Sequence, residues 1–220
     1  MTQTQWTAVD DYFAEALIPE DEILTGTLRL SEVAGLPAHN VAPNQGKLLM
    51  LLALSIGAKS ILEIGTLGGY STIWLARALP DDGRLITLEA DPDHAEVARQ
   101  NITTAGLIDR VAIHIGLALD TLATMANSDP FDLIFIDADK ENNVGYFEWA
   151  LQLSHPGSLI IVDNVVRGGA VIDANSDDSR VQGVRRFVER ATSEPRVIAT
   201  ALQTVGSKGY DGFVIMRVKQ

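Results

Sequence analysis

Oxygen-bearing side chains stand directly after two apolar runs that have the composition of buried strands. Residues 131–136 are followed by Asp137, and residues 158–162 by Asp163 and Asn164. Buried parallel strands have this composition, and open α/β sheets bind ligands beyond the carboxyl ends of their strands. We therefore expect the three side chains to converge at one sheet edge as hard oxygen ligands for a divalent cation. Carboxylates at strand ends also cap helices, so the pattern alone leaves both interpretations open.

A second group of candidate residues surrounds the glycine-rich turn after the first predicted strand, residues 60–64. The turn reads Gly65-Thr66-Leu67-Gly68-Gly69 and leads into a predicted helix from Ser71. Its glycines let the backbone approach a ligand closely, and the helix start offers free N–H groups. Leu67 stands where the dinucleotide fingerprint requires glycine. Glu63 would repel a pyrophosphate and attract a cationic ligand.

The next predicted strand, residues 84–89, ends at a second acid, Glu89. A carboxylate at this place can accept both ribose hydroxyls of an adenosine. Together with Glu63 and the glycine turn, Glu89 favours S-adenosylmethionine over NAD, because the former carries a positive sulfonium and ammonium and no phosphate. The alternative is that the glycines form a plain β–α turn.

The composition argues against several classes of function. The chain has 220 residues, of which 46% are hydrophobic and 21% charged, as is ordinary for a globular protein. It contains no cysteine, which excludes disulfides, thiolate nucleophiles and cysteine-based zinc sites. A formal charge of -12 opposes nucleic-acid binding, which needs patches of Lys and Arg.

The amino terminus shows no targeting or anchoring pattern. It lacks the basic and apolar regions of a signal peptide. The longest apolar stretch, residues 48–58, is interrupted by Ser55 and Gly57. It is shorter than the ~20 residues that span a bilayer. We therefore expect a cytoplasmic protein without membrane partners.

The elements that must position these residues form an α/β pattern. Residues 1–57 read as helical, with helices at 10–17, 21–33 and 44–56. From Ser60 onward strands alternate with helices, which implies a parallel sheet with helices on both faces. Strands are predicted at 60–64, 84–89, 111–115, 131–136 and 158–162, and helices at 71–79, 92–105, 117–125 and 141–154.

The carboxyl-terminal part has a different pattern. A predicted helix over 178–192 is followed by strands at 196–205 and 212–218, which a glycine-containing turn joins. Two strands joined in this way form an antiparallel hairpin. The chain shows neither repeats nor linkers, so we expect one domain over residues 1–220.

Four segments resemble one enzyme family in their order and spacing. They are residues 63–71, 116–119, 136–140 and 162–164. They are similar to the cation-dependent class I O-methyltransferases, the S-adenosylmethionine-dependent group of the caffeoyl-coenzyme-A and catechol enzymes. The closing segment, residues 205–212, resembles the bacterial small-molecule branch. The resemblance covers residues 40–218.

The resemblance implies a Rossmann-like methyltransferase fold. This is an α/β architecture with a mostly parallel seven-stranded sheet, an antiparallel carboxyl-terminal hairpin, helices on both faces and extra amino-terminal helices. Bacterial relatives are commonly homodimers, so it also implies a homodimer. Residues 1–57 would then form a substrate and dimer region, and an exposed apolar patch on these helices would support this.

The resemblance also implies roles for individual residues. Lys140 matches the proposed general base, and Asp137 would take part in catalysis beside it. Asp137, Asp163 and Asn164 would bind the metal. The cofactor would be contacted by Val41, Glu63, Gly65, Thr66, Gly69, Tyr70, Ser71, Asp137 and Asp139, with Glu89 at its ribose and Ala118 beside its adenine.

The chemistry of these groups suits methyl transfer to oxygen. A phenol ionises near pH ~10, and a neighbouring divalent cation favours the phenolate. Mg²⁺ fits the oxygen ligands best, with Ca²⁺ and Mn²⁺ as alternatives. We predict metal-dependent transfer of a methyl group from S-adenosylmethionine to a hydroxyl of a catechol-like or other vicinal-diol phenolic small molecule.

Three other functions were weighed against this prediction. A metal-independent small-molecule N- or O-methyltransferase is the nearest alternative. An NAD-dependent oxidoreductase lacks the glycine fingerprint and a Tyr-x-x-x-Lys signature. A non-catalytic S-adenosylmethionine-binding protein would leave Asp137, Asp163, Asn164 and Lys140 without a shared task.

Several other polar and aromatic residues are assigned no chemistry. The four histidines are scattered, and Trp74 and Trp149 fall in helical patterns that indicate packing. Residues 173–180 read as a solvated loop, which could also cover a substrate. Arg167 stands where the caffeoyl-type enzymes carry an aromatic residue, so the resemblance does not extend to the acceptor of those enzymes.

Overall fold

Three helices precede the sheet in the computed structural model, which describes residues 2–220. They are α1 (Gln3–Leu17), α2 (Glu22–Val33) and α3 (Pro43–Ser55). α1 begins well before the predicted residue 10, because the side chain of Thr2 accepts the N–H of Gln5 and caps it. Among residues 2–220, the structure contains no helix that is both long and apolar enough to cross a membrane.

One mixed sheet contains all seven predicted strands, in the order β3-β2-β1-β4-β5-β7-β6. β1 to β5 run parallel, and β7 pairs antiparallel with both β5 and β6. This confirms the predicted parallel core with an antiparallel hairpin. The strands are β1 (Ser60–Ile64), β2 (Arg84–Glu89), β3 (Val111–Ile115), β4 (Phe131–Ile136), β5 (Ser154–Asp163), β6 (Val197–Gly206) and β7 (Gly209–Val218).

Helices cover both faces of the sheet, as predicted. One face packs against α3, α4 (Tyr70–Ala76) and α5 (Pro92–Thr104), and Trp74 is buried there. The other packs against α6 (Ala118–Thr124), α7 (Asn143–Gln152) and α8 (Ser179–Thr192), with Trp149 at its border. Both tryptophans thus pack, as expected. Phe147 and Phe187 meet edge to face in this second layer, with ring centroids 5.5 Å apart.

Several further boundaries differ from the sequence prediction. β5 begins at Ser154 rather than at 158, since Ser154 pairs with Phe131 before the register shifts. Pro156 and Gly157 conceal this start, because both are typical strand breakers. α7 is preceded by a separate 3₁₀ turn, Lys140–Asn142. The turn between β6 and β7 is also tighter than expected, with only residues 207–208 between the strands.

The strand order reverses between β1 and β4, which are neighbours in the sheet. α4 follows β1 on one face, while α7 follows β4 on the other. Ligands of open α/β sheets bind in the crevice at such a reversal, beyond the carboxyl ends of the strands. This edge carries Glu63, Asp137 and Asp163, so the fold brings the predicted site residues together.

The opposite end of the sheet contains a histidine with two acceptor partners. The Nδ1 atom of His155 lies 2.9 Å from the carbonyl oxygen of Pro156, and its Nε2 atom lies 2.8 Å from Oδ1 of Asp132. Both contacts are satisfied at once only by the doubly protonated ring. The Pro156 carbonyl first, and then Asp132, raise the pKa of His155. Arg217 lines the same cleft.

His155→Gln should flatten the dependence of stability on pH, because glutamine can still donate to Asp132 but does not titrate. The raised pKa stabilises the folded protein fully below about pH 6.5, the ordinary histidine value. This stabilisation is lost as the pH rises through the folded-state pKa. His155 is 39% exposed, so we expect an effect below about 1 kcal/mol. Urea unfolding at pH 6, 7 and 8 measures it.

His114→Gln, at an exposed position on β3, is the matched control. Its unfolding free energy should follow that of the wild-type protein across this range. If the free energy of unfolding depends on pH in the same way in His155→Gln and in the wild-type protein, the imidazolium contacts do not stabilise the fold.

Candidate active site

The glycine turn after β1 lies against the backbone of the loop after β4. Gly65 has a φ of 99°, and a Cβ atom added there would lie 2.2 Å from the carbonyl oxygen of Asp137. Only glycine combines this backbone conformation with this close approach. Gly69, with a φ of 82°, ends the turn and begins α4. The two loops therefore meet, and the residues that follow β1 and β4 share one crevice.

Glu63 is a fully buried carboxylate at the end of β1. Its oxygens accept hydrogen bonds from Ser71 Oγ at 2.6 Å, Thr72 Oγ1 at 2.5 Å and Thr87 Oγ1 at 2.7 Å. Burial is the main cause that raises the pKa of Glu63 to about 7, and the charge of Asp137 adds to it. The hydroxyls oppose this shift. A cationic ligand would favour the ionised form of this carboxylate.

Glu89 holds the glycine turn itself. Its Oε2 atom accepts the N–H groups of Thr66 at 3.2 Å and Leu67 at 2.7 Å, and its Oε1 atom accepts that of Asp91 at 3.0 Å. Sequence reasoning assigned Glu89 to the ribose alone and missed this contact. Each carboxylate oxygen has two lone pairs, so these three bonds leave one acceptor position, on Oε1, for a ribose hydroxyl.

The acidic strand ends of β4 and β5 converge around a buried lysine. Lys140 donates from Nζ to Oδ1 of Asp137 at 2.8 Å. Asp163 is 3% exposed. Burial first, and then the charge of Asp137, raise the pKa of Asp163 to about 7, while Lys140 acts in the opposite direction. Asn164 follows with a φ of 55°, a conformation that non-glycine residues adopt rarely.

Asp139 is held differently from its neighbours. It is exposed, and its carboxylate accepts hydrogen bonds from the Tyr146 hydroxyl and from Asn142 Nδ2. Burial, and then these contacts with Asp139, raise the pKa of Tyr146. The carboxylate is thus fixed against α7, beside the turn that follows Asp137.

The remaining predicted cofactor contacts lie at helix starts. Val41 is buried just before α3, and Ala118 is the half-buried first residue of α6. Thr66, Gly69 and Tyr70 are buried in and after the glycine turn. Ser71 is half-buried and bonds Glu63. Their roles toward a cofactor stay predictions.

Two residues that shape the site have no role predicted from the sequence. Gln45, on α3, donates from Nε2 to Oδ2 of Asp163 at 2.7 Å. Asp211, on β7, accepts the N–H groups of Val166 at 2.9 Å and Arg167 at 3.0 Å and so holds the loop after β5. Asp211 lies in the family-like segment 205–212, but neither contact could be predicted from the sequence, because each residue acts on a segment that is distant in sequence.

A family model described as O-methyltransferase matches residues 15–218. The chain belongs to this O-methyltransferase family. A catechol O-methyltransferase from Niastella koreensis is 53% identical over 214 residues, which are 96% of this chain and 97% of that protein. The resemblance inferred from the four sequence segments is therefore confirmed.

Two solved structures of O-methyltransferases superimpose closely on this one. The O-methyltransferase from Bacillus cereus in complex with SAH is 60% identical, with a TM-score of 0.98 over 99% of this chain and 100% of that chain. The O-methyltransferase TomG from Streptomyces achromogenes, involved in tomaymycin synthesis, was solved with SAM. It is 50% identical, with a TM-score of 0.96 over 100% of both chains.

These relatives confirm the predicted enzyme class and fold. The protein is an S-adenosylmethionine-dependent O-methyltransferase with a Rossmann-like mixed sheet. The oxidoreductase and non-catalytic alternatives are thereby set aside. In this O-methyltransferase, the buried carboxylate of Glu63 beside the glycine turn is the group best suited to the positive charges of the cofactor.

Glu63→Gln should weaken S-adenosylmethionine binding about 10-fold or more at pH 8, because a charge-assisted hydrogen bond is worth roughly 1.5–3 kcal/mol. With a pKa of about 7, the wild-type carboxylate ionises as the pH rises from 6 to 8, so the ratio of the two affinities should grow over this range. Isothermal titration calorimetry at pH 6, 7 and 8 measures both. The ratio cancels the titration of the cofactor's own amino group.

Glu96→Gln, at an exposed position on α5, is the control and should leave the binding unchanged. A constant ratio between wild type and Glu63→Gln across the three pH values would show that the ionisation of Glu63 does not govern cofactor affinity.

Proposed function

We propose that this O-methyltransferase methylates one hydroxyl of a catechol-like small molecule at a divalent cation held by Asp137, Asp163 and Asn164. The proposal rests mainly on one observation: the buried carboxylate of Asp163 and the half-buried carboxylate of Asp137, from neighbouring strand ends, lie close enough for the charge of Asp137 to raise the pKa of Asp163. The catechol O-methyltransferase name of the 53% identical relative supports the substrate class.

The donor set fits a hard divalent cation. The charge of Asp137 contributes to the raised pKa of Asp163, and a buried pair of like charges is relieved by a cation. Within residues 2–220, no group of three His, Cys, Asp or Glu side chains forms a metal cluster. The third protein ligand would accordingly be the amide oxygen of Asn164. Carboxylate and amide oxygens are ligands that Mg²⁺ accepts, and Ca²⁺ and Mn²⁺ share this preference.

A bound cation would lower the pKa of an acceptor hydroxyl from about 10 toward neutrality. Lys140 would take up the proton, since its buried Nζ atom lies beside Asp137. A cation held by Asp137 would compete with the ammonium for this carboxylate and favour the neutral amine, which is the form that can accept a proton. Glu63 and the glycine turn would hold the cofactor on the β1 side. The close contact between the Gly65 and Asp137 loops would set the methyl group beside the acceptor oxygen, and such positioning supplies much of the rate of a displacement.

Turnover should require a divalent cation. With S-adenosylmethionine and a catechol, we expect a chelator to abolish methyl transfer and added Mg²⁺ to restore it. Asp163→Ala should lower the Mg²⁺-supported rate by about 100-fold or more, while cofactor affinity changes little. Loss of a residue that only hydrogen-bonds to a metal ligand already costs about 10–100-fold. Product formation and calorimetric cofactor binding are the two measurements.

Asp109→Ala, at an exposed position in the turn before β3, is the control and should retain full activity. Transfer that proceeds equally with chelator would favour the metal-independent alternative. Full activity of Asp163→Ala would exclude Asp163 as a ligand.

We also propose a homodimer formed through α1 and β6. α1 packs along β6, and Gln3 Nε2 donates to the carbonyl of Gly206 at 2.8 Å. The exposed apolar residues of these two elements include Tyr12 (65% exposed) and Leu17 (59%) on α1 and Ile198 (64%) on β6. β6 is also an edge strand. Exposed apolar patches and open strand edges are typical interaction sites, and two-fold dimers are the commonest assemblies.

Light scattering after gel filtration should give twice the mass of one chain. Tyr12→Glu combined with Ile198→Glu should shift the protein toward the monomer, because two charges then enter the contact. Val33→Glu introduces the same charge at an exposed apolar residue at the end of α2 and should leave the mass unchanged. A wild-type monomer, or a double variant that stays dimeric, would contradict this interface.

A further inference from the structure

Asp163 is held by two donors from different parts of the chain. Its Oδ1 atom accepts the backbone N–H of Asn164 at 2.8 Å, and its Oδ2 atom accepts Gln45 Nε2 at 2.7 Å. The first contact is local to the end of β5. The second comes from α3, which lies 118 residues earlier in the chain. The orientation of this buried carboxylate therefore depends on the amino-terminal helices as well as on the sheet.

We propose that Gln45 is a positioning residue that aims the Asp163 carboxylate at the cation and links α3 to the metal site. The proposal rests on the proposed metal-dependent function. The torsion that turns a carboxylate is broad, with no single preferred angle, so a fixed donor at one oxygen selects one orientation. Partners of metal ligands that act in this way typically change metal affinity 10–100-fold.

The segment before Gln45 is anchored at its other end by the β6–β7 hairpin. Lys208, in the hairpin turn, donates to the carbonyl of Ala38 at 3.0 Å and to Oδ1 of Asn40 at 3.3 Å. Residues 38–45 therefore run between two fixed points and include the buried Val41. A cation bound at Asp163 further restrains this segment through Gln45, and by linkage the order of the segment favours the cation.

A packing role for Gln45 is the alternative explanation. Its side chain borders a small cavity of about 10 Å³ that is also lined by Leu48, Leu49, Leu52, Ile161 and Phe213. An apolar side chain would fill such surroundings without leaving a polar group to satisfy. The amide instead donates to Asp163. Gln45→Met separates the two roles, because it keeps the length of the side chain and removes the donor.

The decisive measurement is Mn²⁺ binding, followed by the electron paramagnetic resonance signal of the free ion. We expect Gln45→Met to weaken binding about 10-fold or more and Asp163→Ala to abolish it. Asn44→Ala is the matched control on α3, because Asn44 contacts Asp10 at 3.4 Å rather than Asp163. It should bind Mn²⁺ like the wild type. Calorimetric S-adenosylmethionine binding without metal should be equal in wild type and Gln45→Met.

Hydrogen exchange gives a second, activity-independent readout. Mn²⁺ should slow amide exchange in residues 38–46 of the wild-type protein and of Asn44→Ala, with a much smaller effect in Gln45→Met. A residue that only packs would not alter this response to the ion. Gln45→Leu, which also lacks the donor, repeats both measurements if Gln45→Met does not fold.

The outcomes separate this proposal from the proposed function. Equal Mn²⁺ affinity and equal protection in wild type and Gln45→Met, with binding lost in Asp163→Ala, would overturn the role of Gln45 and leave the metal site standing. A wild-type protein that does not bind Mn²⁺ would overturn the proposed metal-dependent function itself.

Discussion

The close approach of Gly65 to the carbonyl of Asp137 is the constraint on which the site depends. β1 and β4 are adjacent where the strand order reverses, and the helices after them leave toward opposite faces. A Cβ atom at position 65 would meet the carbonyl oxygen at 2.2 Å, so only glycine allows this approach. The contact brings the glycine turn and the acidic strand ends into one crevice. Two reactants bound there are already close, which removes much of the entropic barrier to their reaction.

Much of this arrangement could be predicted from local patterns. An apolar run that stops at Asp137 or Asp163 indicates both a buried strand and the edge at which it ends. The glycines of residues 65–69 similarly indicate a turn whose backbone lies close to a ligand or to another segment of the chain. Since parallel strands align their carboxyl ends, these local signals together predict which side chains converge.

Contacts between distant segments could not be predicted in this way. Gln45 donates a hydrogen bond to Asp163, which lies 118 residues later in the chain. Asp211, on β7, accepts the backbone N–H of Arg167 in the loop after β5. A glutamine on a helix or an aspartate on a strand has no spacing that reveals its partner, because tertiary packing selects that partner. The contacts of Glu89 could not be predicted either. Its hydrogen bonds to the N–H groups of Thr66 and Leu67 depend on how the glycine turn folds over the end of β2.

In the proposed cofactor site, the burial of Glu63 also has a consequence for the release of the demethylated cofactor. The carboxylate lies in a low-dielectric environment in which charges interact strongly. Methyl transfer converts the sulfonium of the cofactor into a neutral thioether, so the molecule that leaves carries one positive charge fewer than the one that entered. In the proposed cofactor site, the carboxylate of Glu63 would therefore attract the donor more strongly than the product, so that the reaction itself would remove part of the attraction that retained the ligand.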